Sequence, residues 1–367
     1  MGLFGPRKQS YLGIDFGSGG IKLVELKNEK GRSRLFTYSF TERMPGMEPV
    51  NMVDDINSTA DLLRKMLKKS KVTTMKAVGG LPVASVFSSV VTVPKSKKDD
   101  DIREAARWQA KKLIPVPLEE MTLDFKIIDL NDKKKKGSKK DAAADKDEKK
   151  NVQVLITGAA NAMIQKYMSV FSKAGLELAS LETETFALIR SLIGKDLSTT
   201  MIVDIGSVRT NIIIVENGIP YVTRSVDMGG TTLTKAMGKA LDLGLKEAEE
   251  IKCDIKGVQS LYPGDGLPKI FESAMAPMVT ELQYSINLYS GQTDGEEPDR
   301  KVEKIILTGG TAALPALADY FSEQLNMKSY LGDPWARVAY PDGLRPILDE
   351  IGPRFAVAIG LAMQNVE

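Results

Sequence analysis

The amino-acid sequence predicts a duplicated α/β protein with a cleft between its two halves. Three observations carry that expectation. First, Ile14-Asp15-Phe16-Gly17-Ser18-Gly19-Gly20-Ile21-Lys22 can be laid over Val203-Asp204-Ile205-Gly206-Ser207-Val208-Arg209-Thr210-Asn211, slightly more than half the 367-residue chain further on. In each copy an apolar strand ends in Asp, turns through Gly-Ser and re-enters a second apolar strand, the pattern of a β-hairpin. Second, short strand patterns alternate with helical ones along most of the chain. Third, 43% hydrophobic and 27% charged residues are the balance of a globular protein with a buried core.

In chain order, turn signals at Asn28 and Gly31, and at Asn217-Gly218, follow the two hairpins. Residues 56–67 have helical spacing through Ile56, Leu62, Leu63, Met66 and Leu67. Residues 76–93 read as two short strands punctuated by Gly79-Gly80 and Pro82. Asp99-Asp100-Asp101 cap a helix over 102–113, since carboxylates complement the positive end of the helix dipole. Strands follow at 122–130 and 152–158. Residues 132–150 lack large apolar side chains and are expected to form a disordered loop. Residues 133–150 hold nine lysines against Asp141, Asp145, Asp147 and Glu148. That cluster reads as a solvated hairpin tip, with an acidic surface or membrane headgroups as the alternative. Helices are expected from Leu181 through Leu192, from Thr231, over 245–252, over 271–289 and over 314–325. A buried strand at 304–308 and an Ala/Gly-rich helix at 354–363 complete the pattern.

Composition removes whole classes of chemistry. Without histidine there is no Ser-His-Asp triad and no imidazole metal site or base. The single Cys253 excludes a disulfide framework and a multi-cysteine zinc site, and fits a reducing compartment. A formal charge of +2 is too small to argue for nucleic acid by itself, and no nucleic-acid partner is expected. The N-terminus lacks the apolar core of a signal peptide, and no run approaches the ~18 apolar residues of a membrane helix, so a cytosolic protein is expected. Carboxylate, lysine, hydroxyl and backbone chemistry remain, the groups that handle magnesium and nucleotides.

Residues 15–20 have the features of a phosphate loop built on a hairpin. Gly17, Gly19 and Gly20 let backbone N–H groups approach phosphate oxygens, Ser18 adds a hydroxyl and Lys22 a point charge. Asp15 at the strand end can hold Mg²⁺ through its waters. An ordinary glycine-rich hairpin is the alternative, but the second copy, Asp204-Ile205-Gly206-Ser207 with Thr210 behind it, favours the phosphate loop. Thr308-Gly309-Gly310-Thr311 lies between strand and helix, as an adenine platform or as a left-handed turn. Gly229-Gly230 begins a helix whose N–H groups face phosphate or simply form a tight turn. Glu182 and Glu184 complement a helix start, or one of them orients a water for attack on a terminal phosphate.

The two Asp-x-Gly-Ser loops, the glutamate-bearing helix between them, the late Gly-Gly pair and the final Ala/Gly helix, taken as a set over nearly the whole chain, resemble the actin-like ATPase superfamily. Within it, the opening Gly13-Ile14-Asp15-Phe16-Gly17-Ser18, continuing Ile21-Lys22-Leu23-Val24-Glu25-Leu26, is similar to the PilM family of type IV pilus assembly. The resemblance implies two duplicated RNase H-like domains, an interdomain nucleotide cleft and an inserted small subdomain of the type shared with the cell-division protein FtsA. The first core subdomain would take 9–80, 161–196 and 346–367; the insertion 81–160; the second core 197–235 and 304–345; and its outer subdomain 236–303. FtsA ends in a linker and membrane helix, whereas this sequence stops soon after the last helix, which favours PilM.

The resemblance further implies ATP and Mg²⁺, with Asp15 and Asp204 around the metal. Gly17, Ser18, Gly19, Gly20, Lys22, Gly206, Ser207, Thr210, Gly229 and Gly230 would lie around the phosphates, Glu249 and Lys252 at the ribose, and Gly309 and Gly310 at the adenine. Glu184 would position the attacking water in what is at most a slow ATPase. The implied partner is the cytoplasmic N-terminal peptide of a bitopic inner-membrane protein, PilN-like, held between the first core subdomain and the insertion. Contacts with other inner-membrane and cytoplasmic ATPase components, self-association, and a peripheral place at the inner membrane are further implications. The alternatives are an FtsA-like filament protein and a small-molecule kinase of the same superfamily.

Overall fold

A computed structural model of the chain describes residues 10–44, 50–128, 151–254, 268–291 and 300–364. Its backbone divides into a larger unit, Met1–Val83 with Lys166–Glu367, and a smaller one, Ala84–Gln165.

The larger unit contains two five-stranded sheets of the same design. In the first, β1 (Ser10–Gly17), β2 (Gly20–Glu29) and β3 (Arg32–Phe40) form an antiparallel meander, and β4 (Lys76–Leu81) and β8 (Glu177–Thr183) extend it in parallel, in the order β3-β2-β1-β4-β8. In the second, β9 (Thr200–Ile205), β10 (Thr210–Glu216) and β11 (Ile219–Val226) repeat the meander. There β12 (Lys304–Thr308) and β13 (Ser329–Leu331) repeat the parallel pair, in the order β11-β10-β9-β12-β13. The duplication read from the two Asp-x-Gly-Ser hairpins therefore extends to strand order and direction. Asp15 is opposite Lys22 in one register and Asp204 opposite Asn211 in the other.

The central strands are buried on both faces and read as nearly continuous apolar runs, as parallel pairing under helices requires. In the first half, α1 (Ile56–Lys69) starts with the Asp55 carboxylate accepting from the Ser58 N–H. The helix α3 (Asn161–Lys173) brings Tyr167 and Phe171 edge-on to Phe16, each with ring centroids 5.7 Å away. After β8 the chain forms one turn of α4 (Glu184–Leu188) and widens into a π turn over Ile189–Ile193. The second half carries α5 (Gly230–Leu241), α6 (Leu245–Cys253), α7 (Lys269–Ser290) and α8 (Leu317–Leu325). The last helix, α9 (Arg345–Met363), is buried along most of its length against β1, β2 and α4.

The smaller unit is a three-stranded antiparallel sheet, β5 (Val86–Pro94), β7 (Asn151–Ala160) and β6 (Met121–Ile128) in that order, with α2 (Asp99–Leu113). Val91, Val93, Ile102, Ala106, Ala110, Ile114, Val154 and Ile156 form its core. β6 alternates between half-buried and exposed positions, matching the period-two pattern in the sequence. The expected lysine-rich loop, 132–150, lies outside the described residues.

Five local expectations are corrected. Gly79-Gly80 continue β4 instead of interrupting it: a Cβ on Gly79 would meet the Phe171 ring and Leu181 at 2.9 Å, so the glycine admits the neighbouring layer. The three aspartates at 99–101 fill the first turn of α2 rather than preceding it. Leu181 and Glu182 finish a strand, and the helix opens at Glu184. The expected helix at 314–325 begins at Leu317, after a 3-10 turn over Gly310–Ala313. The final helix also begins earlier than its Ala/Gly run, at Arg345, and accommodates Pro353.

Gly360 lets α9 pack against the α4 backbone: a Cβ there would lie 1.9 Å from the Ala187 carbonyl oxygen. Because the obstacle is backbone, Gly360→Ala is expected to cost about 1–3 kcal/mol, the usual range for overpacking a filled core. Urea unfolding measures this, and an unchanged midpoint would contradict it.

Candidate functional site

The first glycine loop is the tight end of the β1–β2 hairpin, with Gly17 opposite Gly20 and Ser18-Gly19 at the tip. A side chain on Gly17 would meet Lys22 Nζ at 2.7 Å, and one on Gly19 would meet Ser207 Cβ at 3.3 Å. The tips of the two duplicated loops thus face one another, and glycine at 19 keeps that approach open. In the second loop the Gly206 N–H donates to Arg209 O (2.9 Å), closing the turn between β9 and β10.

The second loop is braced from below. Gly230 N–H donates to Gly206 O (3.0 Å) and Thr231 N–H to Ser207 O (2.8 Å), while the Thr311 hydroxyl donates to Gly206 O (3.2 Å). The α5 start therefore directs these two N–H groups at the loop's carbonyls, so Gly229-Gly230 act here as a tight buttress instead of a row of open donors. Thr210, fully buried, donates its hydroxyl to Met228 O (2.7 Å), tying the return strand to the same buttress.

Three carboxylates converge beside these loops. Asp15, buried at the end of β1, has Lys22 Nζ at 3.5 Å. Asp204 occupies the equivalent place at the end of β9. Glu184, the first residue of α4, accepts from the Val83 N–H (3.2 Å) and from Asn211 Nδ2 (3.3 Å). Asn211 Nδ2 also donates to Asp204 Oδ2 (3.2 Å), and its own oxygen accepts from the Ser225 hydroxyl (2.9 Å). One amide thus links the two carboxylates. Burial, then the charges of Asp15 and Asp204, push the Glu184 carboxyl up from 4.5 to about 8. Burial and the Asp15 charge likewise push Asp204 up from 3.8 to about 6, against the opposing Asn211 hydrogen bond and Lys22 charge. Glu182, by contrast, is held by Arg190 at 2.6 and 2.8 Å, so it serves the core while Glu184 serves the site.

Further along, Gly309 takes a left-handed conformation (φ 89°) directly against this centre: a Cβ there would meet Ile205 O at 2.4 Å and Asp204 Oδ1 at 2.7 Å. Its N–H donates to Pro353 O (2.9 Å). A side chain on Gly230 would lie 3.2 Å from Lys252 Nζ. Lys252 Nζ in turn donates to Gly230 O (3.0 Å), Thr234 Oγ1 (2.8 Å) and Glu249 Oε2 (2.7 Å). Burial pushes the Glu249 carboxyl up, but Lys252 and Thr234 together hold it below its ordinary value. Among the residues singled out in the sequence, Gly19 thus lies against Ser207, Gly309 against Asp204, and Gly230 beside Lys252. Sequence reasoning passed over Asn211 and Thr234. Asn211 had a signal, since it stands where the echo puts Lys22; Thr234 had none.

The donor set fits magnesium. Mg²⁺ ordinarily takes one or two carboxylates and keeps several waters, and Asp15 and Asp204 supply that number. Among the described residues no group of three or more acidic, His or Cys side chains is arranged as an all-protein metal cage. Burial first, and the Asp15 charge second, raise Asp204, and a cation bound between the two aspartates would oppose the second.

These carboxyls make the metal-free protein pH-sensitive. A folded-state pKa above the ordinary value means the fold holds the proton more tightly, so the stabilisation is present at low pH and is lost as pH rises. Between about 4.5 and about 8, the melting temperature in EDTA is expected to fall. Glu184→Gln, permanently neutral, should flatten most of that fall in a fluorimetric melting series. An unaltered slope would contradict the assignment.

A family model described as type IV pilus assembly protein PilM matches residues 13–366. A solved PilM-PilN type IV pilus biogenesis complex is similar at 25% identity with a TM-score of 0.78, covering 99% of this chain and 100% of that one. MreB5 of Spiroplasma citri bound to ADP is similar at 12% identity and a TM-score of 0.53, covering 97% of this chain and 95% of that one, a likeness of fold alone. Cell division protein FtsA of Neisseria meningitidis serogroup B is 25% identical over 225 residues, 56% of this chain and 52% of that protein. FtsA of Bacillus subtilis is 22% identical over 299 residues, 75% and 63% respectively. The chain thus spans about half to under two thirds of the length of these curated relatives. Its fold is the actin-like ATPase fold, and with the family model matched from residue 13 to 366 the chain belongs to the PilM family of type IV pilus assembly proteins.

Proposed function

We propose that the chain is an ATP-binding assembly protein of the type IV pilus machinery. In this reading it holds the cytoplasmic N-terminal peptide of a PilN-like inner-membrane protein and links it to the cytoplasmic side of the machine. The observation that carries the nucleotide half is the meeting of two duplicated glycine loops, Gly19 against Ser207, beside Asp15, Asp204 and Glu184. Loops from opposite halves that face one another are suited to a polyphosphate chain, because both sets of backbone donors then act on one anion. The partner half is supported by the likeness, over 99% of the chain, to the PilM of a PilM-PilN complex. No helix among the described residues is long and apolar enough to cross a membrane, so the reading gives the chain a peripheral place at the inner membrane through its partner.

The proposed roles follow from chemistry. Asp15 and Asp204 would hold the magnesium through its waters, and Lys22 would add a point charge to the phosphates. Magnesium, when bound, neutralises phosphate charge. Gly17, Ser18, Gly19, Gly20, Gly206 and Ser207 would surround the phosphate chain. Glu249 and Lys252 would take the ribose and Gly309-Gly310 the adenine face. Glu184 would orient a water. Burial and the neighbouring aspartates push the Glu184 carboxyl up, and a bound cation would oppose that shift.

Calorimetric titration of Mg-ATP tests the nucleotide half. Asp15→Ala and Asp204→Ala are each expected to weaken binding by about tenfold or more, the loss typical of one charged ligand. Glu184→Gln should bind ATP within a few-fold of the unaltered chain and lose whatever hydrolysis is present. No binding by a folded, unaltered chain would overturn the nucleotide reading and leave a partner-binding scaffold. For the partner half, titration with a synthetic peptide of the cognate PilN-like protein's cytoplasmic N-terminus should give saturable binding that a scrambled peptide lacks; equal behaviour of the two would contradict it.

A further inference from the structure

Three consecutive residues after β3 reach the site described above, each at a different point. Thr41 is fastened to the strand leaving the first loop: its N–H donates to Ile21 O (2.9 Å) and its hydroxyl accepts from Ile21 N–H (3.0 Å). Glu42 pairs with Arg354, whose Cγ and Nε lie 3.6 and 3.8 Å from where a side chain on Gly310 would begin. Arg43 donates its N–H to Gly19 O (3.0 Å), at the tip that faces Ser207. The segment therefore joins the first glycine loop to the surroundings of the Gly309-Gly310 pair.

The Arg43 side chain is the unexplained part. Its Nη1 is shielded from solvent and has no hydrogen-bond partner among the described residues. A guanidinium carries five donors and stays charged at any accessible pH, and buried donors are almost always paired. Leaving one unmet carries a desolvation penalty that an incoming anion removes. The charge is also within electrostatic reach of Glu249, adding to the lowering that Lys252 and Thr234 produce against burial. The planar fork matches phosphate oxygens better than a point charge does.

We propose that Arg43 is a further nucleotide-binding residue, its guanidinium pairing with an oxygen of the phosphate chain while the Glu42–Arg354 ion pair anchors the segment at the adenine end. This rests on the nucleotide reading above and goes beyond it by adding a ligand that belongs to neither glycine loop. Because the contact is to phosphate, it discriminates nucleotides from the bare nucleoside.

The test is titration of the full chain with Mg-ATP, Mg-ADP and adenosine, for the unaltered protein, Arg43→Lys and Arg43→Ala, with melting temperatures recorded alongside. Arg43→Ala is expected to weaken ATP and ADP by about tenfold or more, with Arg43→Lys intermediate and adenosine within about twofold throughout. ATP affinity equal to that of the unaltered chain, or an equal loss for adenosine and ATP, overturns the proposal. If Arg43→Ala fails to fold, Arg43→Lys alone decides: parity in ATP affinity overturns the proposal, and a selective loss for ATP upholds it. If the unaltered chain binds no nucleotide at all, the nucleotide reading itself has failed and the role of Arg43 falls with it. If only the Arg43 variants behave normally, the reading stands and this inference alone is lost.

Discussion

The crowding of Asp15, Asp204 and Glu184 is the constraint around which the rest of this structure is arranged. Three carboxyls in a shielded cleft repel one another and lose hydration, and each must be held where it is by something stronger. The strands supply the hold. Near the ends of β1 and β9, Asp204 is paired on both sides, with Asn211 and Thr308, and Asp15 with Lys22 on one side, one residue beyond the Ile14–Gly79 pair on the other. Glu184 is fixed by the start of α4 and by the Val83 N–H. Held this way, the carboxyls stay close enough that burial and mutual repulsion raise Glu184 and Asp204 above their ordinary values.

Duplication explains how one chain can make such a centre, and its asymmetry explains the division of labour. Lys22 and Asn211 occupy equivalent register positions opposite the two aspartates. The first half answers its aspartate with a cation at 3.5 Å, while the second answers with a neutral amide shared by Asp204 and Glu184. A second lysine at that position would neutralise Asp204 and compete with any metal. An amide donates to both side chains without adding a charge. The MreB likeness fits the same architecture, and the PilM family model matches residues 13–366.

Much of the fold was legible because its signals are local. A glycine-rich turn after an apolar strand announces a hairpin, and seeing it twice announced the duplication along with Asp15, Asp204 and both loops. Other features depended on residues far away. Gly79 looked like punctuation because only the folded chain brings Phe171 and Leu181 against it. Glu182 and Glu184 were interchangeable until Arg190, a turn further on, claimed the first. The Ala/Gly run marked only the second half of α9, whose earlier turns hold Pro346 at the opening, where proline is well tolerated, and Pro353 in a buried segment. Asn211 had only its place in the echo, opposite Asp204, and the segment 41–43 carries no motif; its contacts with Ile21, Gly19 and Arg354 appear only in the folded chain.

The claim that most needs direct evidence is that one site is assembled from both halves of the duplication. Hydrogen exchange measured with and without Mg-ATP addresses it most directly, because amide protection reports each loop separately. The account predicts that residues 17–21, 206–210 and 249–252 slow together on adding Mg-ATP. Protection confined to one half, or none in either glycine loop at saturating nucleotide, would contradict it.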